Sequence, residues 1–118
     1  DLNKIIKSDR TSQDSHYAVW VRDRVEADEE NRNLSADDLK ERGTAEITFE
    51  ERVLYELKFF KETGDHLDKA NWTLCAGSCD VYGYVPGAYW YDVFEVYWSY
   101  SYSHGDRLRS RSVVSLTA

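Results

Sequence analysis

The sequence predicts an α+β domain, with a helical N-terminal part packed on a small, irregular, mainly antiparallel sheet. Three observations carry that expectation. Up to about Asp68 the chain is rich in charge, and its apolar residues recur at helical spacing. At Thr48 a complete capping box opens a helix. Beyond Asp68 aromatic residues dominate, glycines punctuate the chain, and apolar and polar positions alternate with the period of a strand.

Taken in order, Asp14 or Ser15 is placed to cap a first helix from about His16 to Glu30. Tyr17, Trp20, Val21 and Val25 would form its buried stripe, and Arg22, Asp23, Glu26, Glu29 and Glu30 its solvated face. Ser35-Ala36-Asp37-Asp38 reads as a short helix start, with Gly43 as the stop. In Thr48-Phe49-Glu50-Glu51 the hydroxyl of Thr48 accepts from the third helical N–H while Glu51 reaches back. The helix that follows sets Val53, Leu54, Leu57 and Phe60 on one side. Glu50 and Glu51 lie at its positive end, Lys58 and Lys61 near its negative end, and Gly64 follows as the terminator.

Trp72-Thr73-Leu74-Cys75 reads as a strand halted by Ala76-Gly77-Ser78, and Val85-Pro86-Gly87 as a turn. From Val93 to Trp98 the pattern alternates, with Phe94, Val96 and Trp98 inward and Glu95, Tyr97 and Ser99 outward. His104-Gly105-Asp106 is a further turn. Leu108 to Leu116 reads as a last strand, with Val114 and Leu116 continuing the inward set of Leu108. Arg107, Arg109 and Arg111, spaced by two, read as its solvated face.

The 118 residues suit one domain, and a net charge of −7 argues against a nucleic-acid partner, which calls for clustered Lys and Arg. No apolar run approaches the ~20 residues of a membrane span, so membrane insertion is not expected. The chain contains no methionine, so Asp1 reads as a processed or excised start. Cys75 and Cys79 read as two free thiols, one buried and one near the surface; a short-loop disulfide is the other reading. Asn71-Trp72-Thr73 matches a glycosylation sequon with nothing else to support it. No cofactor or metal is expected: there is no ligand-spaced Cys or His pair, no phosphate loop and no EF-hand loop.

For catalysis, Cys79 and His104 with Asp80 or Asp106 is one nucleophile arrangement, and Asp80, Asp92 and Glu95 supply carboxylates for glycoside hydrolysis. Neither has a flanking signature, and the expectation is a protein that is not an enzyme. Binding has a positive argument. Tyrosine offers rigid, amphipathic contact area at low entropic cost, and Ser, Gly and Asp add adaptable hydrogen bonds. Tyr82, Tyr84, Tyr89, Tyr91, Tyr97, Tyr100 and Tyr102 fall within one short span. Burying so many hydroxyls unpaired would cost about 1–3 kcal/mol each. Most of these rings are therefore expected outward, with Trp90, Phe94, Val96 and Trp98 in the core.

Leu74-Cys75-Ala76-Gly77-Ser78 is similar to the L-x-G-G-S strand end of the variable proteins of diversity-generating retroelements. A central tryptophan, Trp90, and an Arg-containing final strand after a glycine turn, Gly105-Asp106-Arg107-Leu108-Arg109-Ser110-Arg111, add to the likeness. Members of that family are bacterial and phage ligand-binding proteins with a C-type-lectin-like fold. The resemblance covers roughly residues 48–118. It divides the single domain into a helical part, 1–47, and a lectin-like ligand-binding part, 48–118.

In that family, diversification of asparagine codons never reaches Lys, Gln, Glu, Met or Trp. Between Cys79 and Asp106 only Glu95, Trp90 and Trp98 fall outside the reachable set. The resemblance implies variable, ligand-binding positions at Asp80, Tyr82, Tyr84, Tyr89, Tyr91, Asp92, Tyr97, Ser99, Tyr100, Tyr102 and His104, with Cys79 a further candidate. It implies a protein or cell-surface ligand, a soluble protein of a bacterial surface or phage particle, and a helical part available for homo-oligomer contacts that add avidity. It departs from animal lectins in lacking the Glu-Pro-Asn and Trp-Asn-Asp calcium signatures. A carbohydrate-binding or glycoside-hydrolysing domain and a structural assembly subunit remain the alternatives.

Overall fold

A computed structural model of the chain describes residues 7–11, 13 and 17–117. It is an α+β fold in which helices pack on mainly antiparallel strands. The helices form where the caps lie. The shorter, α1 (Ala36–Arg42), has a full capping box between Ser35 and Asp38 and ends at Gly43 with φ +80°. The longer, α2 (Phe49–Thr63), is boxed by Thr48 and Glu51 and ends at Gly64 with φ +74°, a left-handed conformation that glycine adopts without a Cβ clash.

The face that α2 buries differs from the expected stripe. Leu54, Leu57 and Phe60 are exposed, whereas Phe49, Arg52 and Glu56 are buried. The reason is Arg52, whose guanidinium reaches an interior carboxylate and turns the helix accordingly.

The helix expected over His16–Glu30 is corrected. Its capping candidates, Asp14 and Ser15, and its first residue, His16, lie outside the described residues. Tyr17–Val21 form a strand (β2) that pairs antiparallel with Val113–Thr117 (β8), from Tyr17↔Thr117 to Val21↔Val113. Tyr-Ala-Val-Trp-Val satisfies both a helical and a two-residue period. The partner strand decides between them, because β-branched and aromatic residues suit a pleated ribbon. A short strand Lys7–Ser8 (β1) similarly pairs with Ser78–Cys79 (β4). The N-terminal part is thus not helical throughout, and both of its strands are completed by later segments.

The main sheet has the order β6-β5-β3-β7, built from β3 (Trp72–Leu74), β5 (Val85–Tyr91), β6 (Val93–Ser99) and β7 (Leu108–Ser110). All pairings are antiparallel except β3–β7, with Trp72↔Leu108 and Leu74↔Ser110. Two expectations fail here. Val85-Pro86-Gly87 is not a turn but the buried start of β5, paired with Ser99, Trp98 and Tyr97. The expected last strand is broken at Arg111-Ser112 into β7 and β8, which belong to different sheets. Across that break Val113 turns inward, and Val114 and Leu116, expected inside, are exposed.

The core joins Ile47, Phe49, Cys75, Ala88 and Val113, with Val19, Val21, Val53 and Phe94 packed against it. Cys75 and Cys79 are free thiols, the first buried and the second half-buried. Burial pushes the Cys75 thiol up to about 12. Gly77 of the Leu74–Ser78 motif sits where a Cβ would come 2.6 Å from the Glu46 carbonyl oxygen; its own N–H donates to Ile47 O at 2.9 Å. That glycine lets two backbone segments touch.

Beside this core lies a buried charge network. Asp68, fully buried with φ +58°, accepts from the Ala27 N–H at 2.8 Å and from Arg111 Nη2 at 2.9 Å through one oxygen. Its other oxygen meets Arg52 Nη2 at 3.1 Å and the Thr73 hydroxyl. Arg111 also donates to Arg24 O and Val25 O at 2.9 and 2.8 Å. Arg52 reaches Glu56 at 3.0 Å, and Glu56 holds His66 Nδ1 at 2.9 Å, with the His66 ring stacked on Trp90. Arg111 is therefore not on a solvated face. A two-residue period gives the direction of a side chain without showing what waits there.

Candidate functional site: an exposed tyrosine cluster

Four of the expected rings meet. Tyr82 and Tyr84 come from the loop between β4 and β5, Tyr100 and Tyr102 from the loop after β6. Register makes them neighbours: Val85 pairs with Ser99, so the two loops leave the same end of the β5–β6 hairpin. Ring centroids run 6.0 Å from Tyr82 to Tyr84, 5.3 Å from Tyr84 to Tyr100 edge-on, and 5.2 Å from Tyr100 to Tyr102, stacked within 2° of parallel. All four are exposed, from 39% at Tyr84 to 79% at Tyr82. Edge-on and stacked pairs of this kind contribute about 0.5–1.5 kcal/mol beyond area burial, so the rings order one another without a ligand.

Each loop is built to hold them. Asp80 is buried, not outward as expected. Its Oδ1 accepts from the N–H groups of Tyr82 and Tyr84 at 2.9 and 2.8 Å, and its backbone N–H donates to Tyr84 O at 2.9 Å. Asp80 thus shapes the loop instead of facing a ligand, and Gly83, with φ +85°, permits the tight return. The second loop is tied to the start of α1. The Asp37 N–H donates to Ser101 O at 2.9 Å, the Ser101 hydroxyl donates to Asp37 Oδ2 at 3.1 Å, and His104 Nδ1 meets Asn33 Oδ1 at 2.9 Å. His104 is exposed beside the cluster; Ser99 is half-buried at the base of its loop. The hydrogen bond of His104 is to Asn33, not to Cys79 or Asp106.

Two other expected residues are half-buried, lying on the sheet instead of standing out from it. Tyr97 and Tyr89 pack with Trp72, centroids 5.3 Å from the tryptophan in each case. The Tyr97 ring lies across Gly87, where any Cβ would overlap it, and its hydroxyl donates to Thr73 O at 3.4 Å. Burial raises the Tyr97 phenol well above its ordinary value. The missing side chain at Gly87 accounts for the partial covering of Tyr97: the cross-strand partner leaves a slot, and the ring fills it.

Tyr91 and Asp92 are exposed but belong elsewhere. They form the far tip of the β5–β6 hairpin, about 20 Å from its base at ~3.3 Å per residue. The carboxylates of Asp80 and Asp92 are likewise separated by the length of the hairpin, well beyond the ~5–10 Å of a glycosidase pair. Among the described residues no His/Cys/Asp/Glu group is arranged to hold a metal ion, and no helix is long and apolar enough to cross a membrane. Comparison with protein-family models, with curated proteins and with solved structures returned no match.

Proposed function

We propose that the chain is a ligand-binding protein whose recognition surface is the Tyr82–Tyr84–Tyr100–Tyr102 cluster, carried on a C-type-lectin-like scaffold and directed at a protein or cell-surface ligand. The observation that carries this reading is four exposed, mutually ordered rings on two loops, each loop tied down by its own hydrogen bonds. Rigid aromatic anchors flanked by Ser and His lose little entropy on binding, and Tyr is enriched at interface hot spots for that reason. Asp80 supports the surface from within; Tyr89 and Tyr97 pack half-buried against Trp72, and Tyr91 and Asp92 stand apart from the surface. In this reading the protein is not an enzyme, and variation at the four rings leaves the core untouched.

The locus gives one test: a nearby DNA copy carrying Asn codons at positions 82, 84, 100 and 102, beside a reverse transcriptase, is expected. The protein gives the other. The triple substitution Tyr82→Ser, Tyr100→Ser and Tyr102→Ser is expected to leave the chain folded and to cost about 0.5–1.5 kcal/mol of stability for each ring pair lost. It is expected to weaken capture of a ligand, selected by display against the wild-type chain, by about 1,000-fold, the effect of two hot spots of about 2 kcal/mol each. An unchanged affinity in a folded triple variant would remove the cluster from recognition. Dissociation of an oligomer would reassign it to a subunit contact.

A further inference from the structure

A groove of about 630 Å³ runs beside β2. It is lined by every residue from Tyr17 to Val21, by Ile47, Leu54 and Tyr55, and by four carboxylates against one ammonium group. Among the described residues none of β8 lines it, so the groove follows the edge of β2 that faces away from its partner strand. Among the described residues β2 has no strand partner but β8. The edge also lacks the usual protections, having no Lys, Pro or bulge between Tyr17 and Val21. Beside it Trp20 and Leu54 are 66% and 58% exposed. The groove lining holds Asp23, Glu50, Glu51 and Glu62 against Lys58 alone, which bonds Glu62 at 2.5 Å, so the lining as a whole is negative.

We propose that this groove takes an extended segment of a basic protein partner, added as a third strand on β2. Its backbone would continue the ladder. One set of alternating side chains would be apolar against Leu54 and Ile47, and Lys or Arg in the flanks would answer Asp23 and the net negative charge of the lining. The volume lies in the ~300–1,000 Å³ range of ligand sites, and the five residues of β2 set a segment about 17 Å long. Charge selects this occupant over a second copy, which would bring its own net −7 and the same acidic lining against it. The groove shares no residue with the tyrosine cluster, so the two surfaces stand or fall separately.

The test uses the whole chain and a fluorescent six-residue peptide alternating Lys and Val. Its controls are the Glu-Val counterpart and the Lys-Val peptide N-methylated at alternate residues, which keeps the charge and loses backbone donors. Expected are binding of the Lys-Val peptide alone, slowed amide exchange confined to residues 17–21, and a roughly tenfold loss of affinity in Leu54→Asp and in Trp20→Ser. Both positions are exposed, and circular dichroism verifies that the variants fold. The proposal is overturned by any of four results: no binding, equal binding of the methylated peptide, equal binding of the Glu peptide, or sedimentation showing that the chain pairs with itself through β2 and excludes the peptide.

Discussion

At the scale of single residues, the fold depends on a few polar groups that sequence patterning treats as surface. Arg111 and Arg52 both close on Asp68 in the interior. Removing one partner of such a set strands the others, at a cost of about 3–5 kcal/mol. Arg111→Met, which keeps the apolar stem and loses every hydrogen bond of the guanidinium, is therefore expected to lose that much in urea unfolding. Asp80 makes a different case. Asp80→Ala deletes the acceptor of two loop N–H groups and is expected to cost about 1–3 kcal/mol. It should also weaken ligand capture, although Asp80 touches no ligand, since Tyr82 and Tyr84 lose their orientation. Asp80→Asn, retaining one acceptor oxygen, should recover part of both.

At the scale of elements, legibility followed the range of the interactions that make each one. Both helices were readable at their ends, because Ser35–Asp38 and Thr48–Glu51 bond across only three residues and local sequence contains the whole device. The buried face of α2 was not readable, because Arg52 is drawn inward by Asp68, sixteen residues on. Nor was β2, whose identity rests on β8 at the other end of the chain. The tyrosine cluster was half readable. Composition marked the rings, but register sent Tyr91 to the far tip and Gly87 drew Tyr97 down onto the sheet.

The junction of β2 with α2 has a pH signature. Burial first, and then its hydrogen bond to Glu51, raise the Tyr17 phenol to about 12. The folded value exceeds the unfolded one of about 10, so this contribution is complete below pH 10 and is lost as pH climbs through 12. For Glu51 burial works upward, but Arg10 at 2.9 Å and the Thr48 N–H outweigh it and hold the carboxyl below its ordinary 4.5. Its contribution is complete above 4.5 and is lost as pH falls through the depressed value. In Tyr17→Phe the alkaline decline in stability should flatten, while the acid decline persists. Unfolding midpoints measured from pH 3 to 12 test both limbs.

At the scale of the whole molecule, the charged first part and the aromatic second part interlock instead of lying side by side. β1 pairs with β4 and β2 with β8, and residues 24–28 are pinned by Asp68, Arg111 and Ser112. The radius of gyration, 13.1 Å, agrees with the roughly 13.5 Å of one compact domain of this length. A chain ending at Ser112 would lose β8, uncover β2 on both edges and remove Val113 from the core. It is expected to lose cooperative unfolding altogether; a sharp thermal transition in such a chain would show that the interlock is dispensable.

The pairing of Tyr17 with Thr117 also decides when the molecule can be finished. During translation the segment 17–21 emerges about 100 residues before its complement, so Trp20 and its neighbours wait without their partner strand while β3 to β7 are made. Closing so distant a contact is slow. In that interval the nascent chain offers a sticky, uncharged strand to whatever holdase or stray sheet it meets.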